Sequence, residues 1–186
     1  MKQTAILLGL CLTGCSSMLP HGTSKVDGPW ASFEQAQQTF DSIIPHRTTI
    51  EDLKALKLDP HSNPNISILN YSEVMRRFVP NASISVDSLD GGVWECISAK
   101  TACQGYEVTQ KSIKRKRTGN FWSDFLNFRR EVDVTGWSFT GVLLIKDNVV
   151  VYKLISGQPL ISEQENNRNP LGPLQGAGEA ALRNSF

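Results

Sequence analysis

The sequence predicts an α+β fold: two to three N-terminal helices packed on one face of an antiparallel sheet of about four strands. Two observations carry this. Apolar residues recur at helical spacing behind capping residues over 32–78, and the period changes to two from residue 93 onward. Length adds a third: 186 residues favour one domain with tails. Hydrophobic residues at 40% and charged residues at 20% supply a core and exclude a wholly disordered chain. Lys+Arg 19 against Asp+Glu 18 excludes a surface built throughout for nucleic acid.

The first helix is expected from Ser32. Ser32-Phe33-Glu34-Gln35 reads as a capping box, and Phe33, Ala36, Phe40, Ile43 and Ile44 share one face until Pro45. The second is expected from Thr48, with Thr48-Thr49-Ile50-Glu51 as a second box and Ile50, Leu53 and Leu56 as its face. Glu51 and Asp52 suit the positive end of that helix. Residues 59–65, rich in Pro and Asn, read as loop, and Ser72–Phe78 as a third, short helix. Val93–Ser98, Tyr106–Lys114, Val132–Ile145 and Val149–Ile155 read as strands. Asp147-Asn148 forms the two-residue turn between the last two. Residues 157–186, rich in Gly, Pro, Asn and Gln, read as a mostly unstructured tail, which closes the single α+β domain at 32–156.

The N-terminus reads as an address. Lys2 precedes the apolar run Ala5–Leu12, which ends in Leu12-Thr13-Gly14-Cys15. That tetrapeptide resembles the lipobox of bacterial lipoproteins. The resemblance implies cleavage of a signal peptide at 1–14 and acylation of Cys15 with fatty acids such as palmitate. Ser16 rather than Asp after the Cys then implies the outer membrane, lipid-anchored and facing the periplasm. Removing 1–14 takes away Lys2 alone among the charges, leaving 18 bases and 18 acids from the original 19 and 18. Residues 15–31 read as a flexible tether. With Cys11 in the signal and Cys15 acylated, Cys96 and Cys103 remain. An even pair in an oxidising compartment is expected to form a structural disulfide.

A helix, a Thr-rich turn, a second helix and a closing sheet behind a lipobox resemble the SmpA/OmlA (BamE-like) family of small outer-membrane lipoproteins. The likeness is carried by Ile44-Pro45-His46-Arg47-Thr48-Thr49-Ile50-Glu51-Asp52-Leu53, by Leu58-Asp59-Pro60 and by the hairpin over 140–156. Arg47 and Lys57 stand at or near positions where the family carries Gly. The resemblance implies an interaction module in β-barrel assembly, with outer-membrane lipid held through Cys15 and a membrane-protein partner in the envelope.

One segment asks for a functional reading. Residues 111–130 hold seven bases, Lys111, Lys114, Arg115, Lys116, Arg117, Arg129 and Arg130, against the single acid Asp124. Phe121, Phe125 and Phe128 are spaced i, i+4, i+7, beside Trp122 and Leu126. Two readings stand: a crossover helix packing its aromatics on the sheet, or a contact surface for a protein or an anionic membrane. Catalytic groupings are sparse. His21, His46 and His61 fall in tether, turn and loop, and Asp87 and Asp90 flank a Gly-Gly turn. The expectation is a non-enzymatic lipoprotein acting as an interaction or scaffold module in envelope assembly. It has no cofactor, no metal, no nucleic-acid partner and no small-molecule substrate. A lipid-surface or cell-wall binding lipoprotein, or an accessory subunit of a secretion apparatus, is the alternative.

Overall fold

The computed structural model describes residues 21–81 and 88–170. Cys15 and its lipobox, Asp87 and residues 171–186 lie outside them. The described chain is α+β. Its elements in order are β1 (His21–Lys25), α1 (Phe33–Asp41), α2 (Ile50–Ala55), β2 (Ile66–Leu69), α3 (Tyr71–Phe78), α4 (Gly91–Ala99), β3 (Cys103–Thr118), α5 (Phe121–Phe125), β4 (Arg129–Lys146) and β5 (Val149–Arg168). The five strands form one antiparallel sheet in the order β1-β3-β4-β5, with β2 also paired to β3. By its contacts the chain divides into two compact units.

The larger unit spans Lys25–Ser112 and Trp137–Leu160. Its strands carry apolar side chains on both faces. Phe139, Leu143 and Ile145 of β4 and Val150 of β5 meet Phe33, Ala36 and Phe40 of α1 and Leu53 of α2. On the opposite face Val142, Leu144 and Val151 meet Val74 of α3 and Val93, Cys96 and Ile97 of α4. Helices therefore cover both faces of this part of the sheet rather than the one face expected. The continuous run Val142–Ile145 has the pattern of a strand buried on both sides.

Phe139 is the hub of the first cluster. Its ring lies 5.4 Å from Trp30, 5.6 Å from Phe33 and 5.1 Å from Phe40, each edge-on, the favoured arrangement for aromatic quadrupoles. Two residues along the same face, Gly141 makes room for Phe40: a Cβ there would overlap its ring. Trp30, expected in a flexible tether, is buried in this cluster. Its indole N–H donates to Thr39 Oγ1 at 3.0 Å, and its carbonyl accepts from the buried Gln110 Nε2 at 2.6 Å. The tether is thus shorter than expected, since His21–Lys25 is itself a strand.

Capping chemistry sets the helix starts. Ser32 accepts from the Gln35 amide, but the Gln35 side chain accepts from the Ala31 amide and not from that of Ser32, so the expected box is only half formed; α1 ends at Asp41, before Pro45. At α2 the box is shifted one residue: Thr49 and Asp52 exchange hydrogen bonds, while Thr48 Oγ1 accepts from the Ile44 amide at 2.8 Å. Those bonds from Thr49 hold the Asp52 carboxyl below its usual range. Asn70 and Glu73 form a second, complete box ahead of α3.

The described residues hold five α-helices and five strands against the two to three and about four expected, β1 and β2 being additional strands, and two further segments differ in type. Val93–Ser98 is helical, within α4, and not a strand. Asp90 accepts from the Gly92 amide at 2.9 Å, and the buried residues Val93, Cys96 and Ile97 follow helical i, i+3, i+4 spacing. A run this short does not distinguish the two periods without its cap. Gly92 is required, because a Cβ there would collide with the Val151 carbonyl. Residues 157–168, expected in the tail, continue β5. Their side chains are mostly exposed and polar, but strand formation there rests on the backbone ladder with β4.

Cys96 and Cys103 are buried at disulfide-bonding distance, with Cα atoms 5.2 Å apart, and tie α4 to the start of β3. Closing this eight-residue loop reduces the freedom of the unfolded chain. Reduction, or Cys96→Ser with Cys103→Ser, is expected to cost roughly 2.5 kcal/mol in a denaturant titration.

The smaller unit holds His21–Ser24, 113–136 and 161–170 among the described residues. Val132, Val134 and Ile161 form its cluster, with Ile113 packed against them. Ile161, expected in an unstructured tail, is one of its core residues.

Candidate interaction surface

Within the smaller unit, the connection from β3 to β4 is built by three local devices. Gly119 takes a positive φ of 91° to leave the strand. Asn120 caps α5 by accepting from the amides of Trp122 and Ser123. Asn127, at φ 57°, ends the helix and turns the chain into β4, and the Phe128 amide donates to the Ser123 carbonyl at 2.8 Å.

The helix so formed has inverted polarity. Its buried side chain is a carboxylate: Asp124 is 5% exposed. Arg117 Nη1 donates to it at 3.4 Å and Arg130 Nε at 3.2 Å, so a base from each flanking strand anchors the helix. Arg130 also donates from Nη2 to Asn127 Oδ1 at 3.4 Å. The aromatic residues face outward. Trp122 is 44% exposed, Phe125 68%, Leu126 41% and Phe128 45%. Phe121 stacks on Phe125 with ring centroids 5.8 Å apart, and Trp122 meets both edge-on. These rings stiffen one another without leaving solvent.

Two expectations for 111–130 change. The helix ends at Phe125, so Phe128 is not on its face, because Asn127 reverses the chain first. The aromatics are not buried against the sheet, which leaves the contact-surface reading of this segment open. The bases separate into two kinds. Lys114, Arg115 and Lys116 are exposed on β3, and Arg129 is exposed and paired with Glu131. Arg117 and Arg130 are structural, committed to Asp124. Asp124 is the single acid among the seven bases of 111–130, and that isolation is the signal in the sequence for the carboxylate that Arg117 and Arg130 share.

Beside these arginines lies a cavity of about 370 Å³, lined by His21, Gly22, Arg115, Arg117, Arg130, Val132 and Glu165. His21 on β1 and Glu165 on the continuation of β5 stand where tether and tail are expected, so neither is among the expected site residues.

Comparison of the chain with protein-family models, with curated proteins and with solved structures finds no match. Residues bearing on other chemistry are dispersed. His46 Nδ1 lies 3.7 Å from Glu95 of α4, His61 Nδ1 lies 3.1 Å from Asp59, and Asp90 serves as a helix cap. Among the described residues no three His, Cys, Asp or Glu side chains gather in a geometry that could hold a metal ion. No described helix is long and apolar enough to cross a membrane.

Proposed function

We propose that this protein is a lipid-anchored, non-enzymatic lipoprotein of the outer membrane, facing the periplasm. It acts as an interaction and scaffold module in envelope assembly, similar in role to the SmpA/OmlA family. The aromatic tip around α5 is its working surface. The observation that supports this is the inverted tip: four large apolar side chains, Trp122 and Phe125 of α5 with Leu126 and Phe128 just after it, stand exposed over the buried carboxylate of Asp124 and its two arginines. Exposed aromatic residues on a rigid support are the usual anchors of protein interfaces, where a few of them supply most of the binding energy. Lipidation at Cys15 would hold the tip near a membrane-protein partner and raise its effective concentration there.

The test is crosslinking of the native protein in cells, solubilisation in mild detergent and identification of what is recovered. Barrel-assembly subunits are expected with the native chain. A variant with Phe121, Trp122 and Phe125 all changed to Ala is expected to recover them at least about tenfold less, with a melting temperature only slightly lowered because Trp122 and Phe125 are exposed and Phe121 is half-buried. Equal recovery with the variant, or no such subunit with either protein, overturns the reading.

A second reading is favoured by the exposed Lys114, Arg115 and Lys116 on the strand leading to the tip. Such bases suit an anionic lipid surface, each contributing up to about 1 kcal/mol. Under this reading the native chain recovers lipid without protein, and binding to anionic vesicles weakens steeply with salt.

A further inference from the structure

The cavity next to the tip has a chemistry the tip does not share. Arg115 and Arg117 alternate along β3 onto one face, the face that carries Ile113, and Arg130 joins them from β4 beside Val132. Three arginine residues thus line a single cavity of about 370 Å³. Guanidinium groups repel one another unless acids or a bound anion lie between them. Two acids are present. Asp124 orients Arg117 and Arg130 from the buried side, using Arg117 Nη1 and Arg130 Nε. Glu165 lies 3.6 Å from Arg115 Nη2, a loose pair with both side chains about half exposed. The three bases exceed these two acids by one charge. Each guanidinium carries five N–H donors in a planar fork, and the contacts to Asp124 and Asn127 leave several of them free for a ligand.

We propose that this cavity is a binding site for a phosphate group, held by Arg115, Arg117 and Arg130. Asp124 is a positioning residue for two of them, and Glu165 weakens the site by competing for Arg115. Phosphate suits the site because its oxygens accept paired, charge-assisted hydrogen bonds from planar guanidinium forks. The assignment does not depend on what the aromatic tip contacts. The phosphate belongs either to a soluble phosphorylated compound or to a lipid headgroup, and the experiment distinguishes the two.

The probes are inorganic phosphate and dihexanoyl phosphatidic acid below its micelle concentration, added to the full chain in detergent. The arginine Nε–H resonances are followed by NMR. Those of Arg115, Arg117 and Arg130 are expected to shift together and saturate at millimolar phosphate. Arg115→Gln is expected to weaken binding about fivefold, the loss of one charge-assisted contact, and Glu165→Gln to tighten it by a similar factor. Both positions are half exposed and neither holds Asp124, so these variants keep the fold. Equal binding of the two probes assigns a soluble phosphate, and binding of the phosphatidic acid alone assigns a headgroup; either supports the site. Absence of saturable shifts with both probes, or binding indifferent to Arg115→Gln and Glu165→Gln, overturns it.

Discussion

Phe139→Ala is expected to lower the stability of the protein by about 3–5 kcal/mol, the range for emptying a fully buried aromatic position. Phe139 is fully buried, and its ring contacts Trp30, Phe33 and Phe40 together. Those neighbours come from α1 and from the segment before it, packed onto β4 from two chain segments, so no single side-chain movement refills the space. Phe40 is also confined over Gly141, which limits its collapse into the cavity. Against a typical total of about 5–15 kcal/mol, such a loss removes a large share of stability. A drop in melting temperature of roughly 10 °C or more is the expected reading. Phe139→Leu keeps much of the volume but loses the edge-on contacts, and about 1.5 kcal/mol is expected. A loss below about 1 kcal/mol for Phe139→Ala would mean that the four rings are not packed as a unit.

The second large effect is expected at Asp124. Asp124→Ala leaves Arg117 and Arg130 without their shared carboxylate. Removing one member of a buried pair costs about 3–5 kcal/mol when the survivor stays buried. Here the two arginines retain partial access to water, so a cost of about 3 kcal/mol, at the low end, is expected. The effect is local. Amide hydrogen exchange across residues 113–136 is expected to accelerate about a hundredfold, since each 1.4 kcal/mol is a factor of ten, while amides of the larger unit keep their protection. Asp124→Asn keeps an acceptor of the same shape and is expected to lose about half as much. The aromatic tip should lose partner binding in proportion. Unchanged exchange in Asp124→Ala would show that the tip is held by its turns and ring stacking alone.

These two positions show how differently the sequence reports on core and site. Phe33, Ala36 and Phe40 were readable as a helix face because an amphipathic helix repeats its burial pattern every turn. The Asp147-Asn148 turn was readable because both residues take positive φ, 50° and 66°, as a two-residue hairpin turn demands. The Thr49 box was readable to within one residue, since Thr48 and Thr49 offer the same hydroxyl and only the Ile44 amide chooses between them. Asp124 was not readable as an anchor. A carboxylate carries no local mark of burial, and its two partners arrive from β3 and β4, seven and six residues away on either side.

By itself the sequence determined the α+β class, the starts of α1, α2 and α3, the β4–β5 hairpin and the pairing of Cys96 with Cys103. Each follows from short-range chemistry: caps, periodicity, turn dihedrals, or two cysteines left in a short loop. Tertiary structure decided the rest. It made Val93–Ser98 helical through the Asp90 cap and the close approach of Gly92 to β5. It recruited His21–Lys25 and residues 157–168 into strands because a long neighbouring strand offers backbone partners whatever the side chains. It turned the aromatic residues of α5 outward, because the two arginines beneath them are satisfied by a carboxylate and not by a ring.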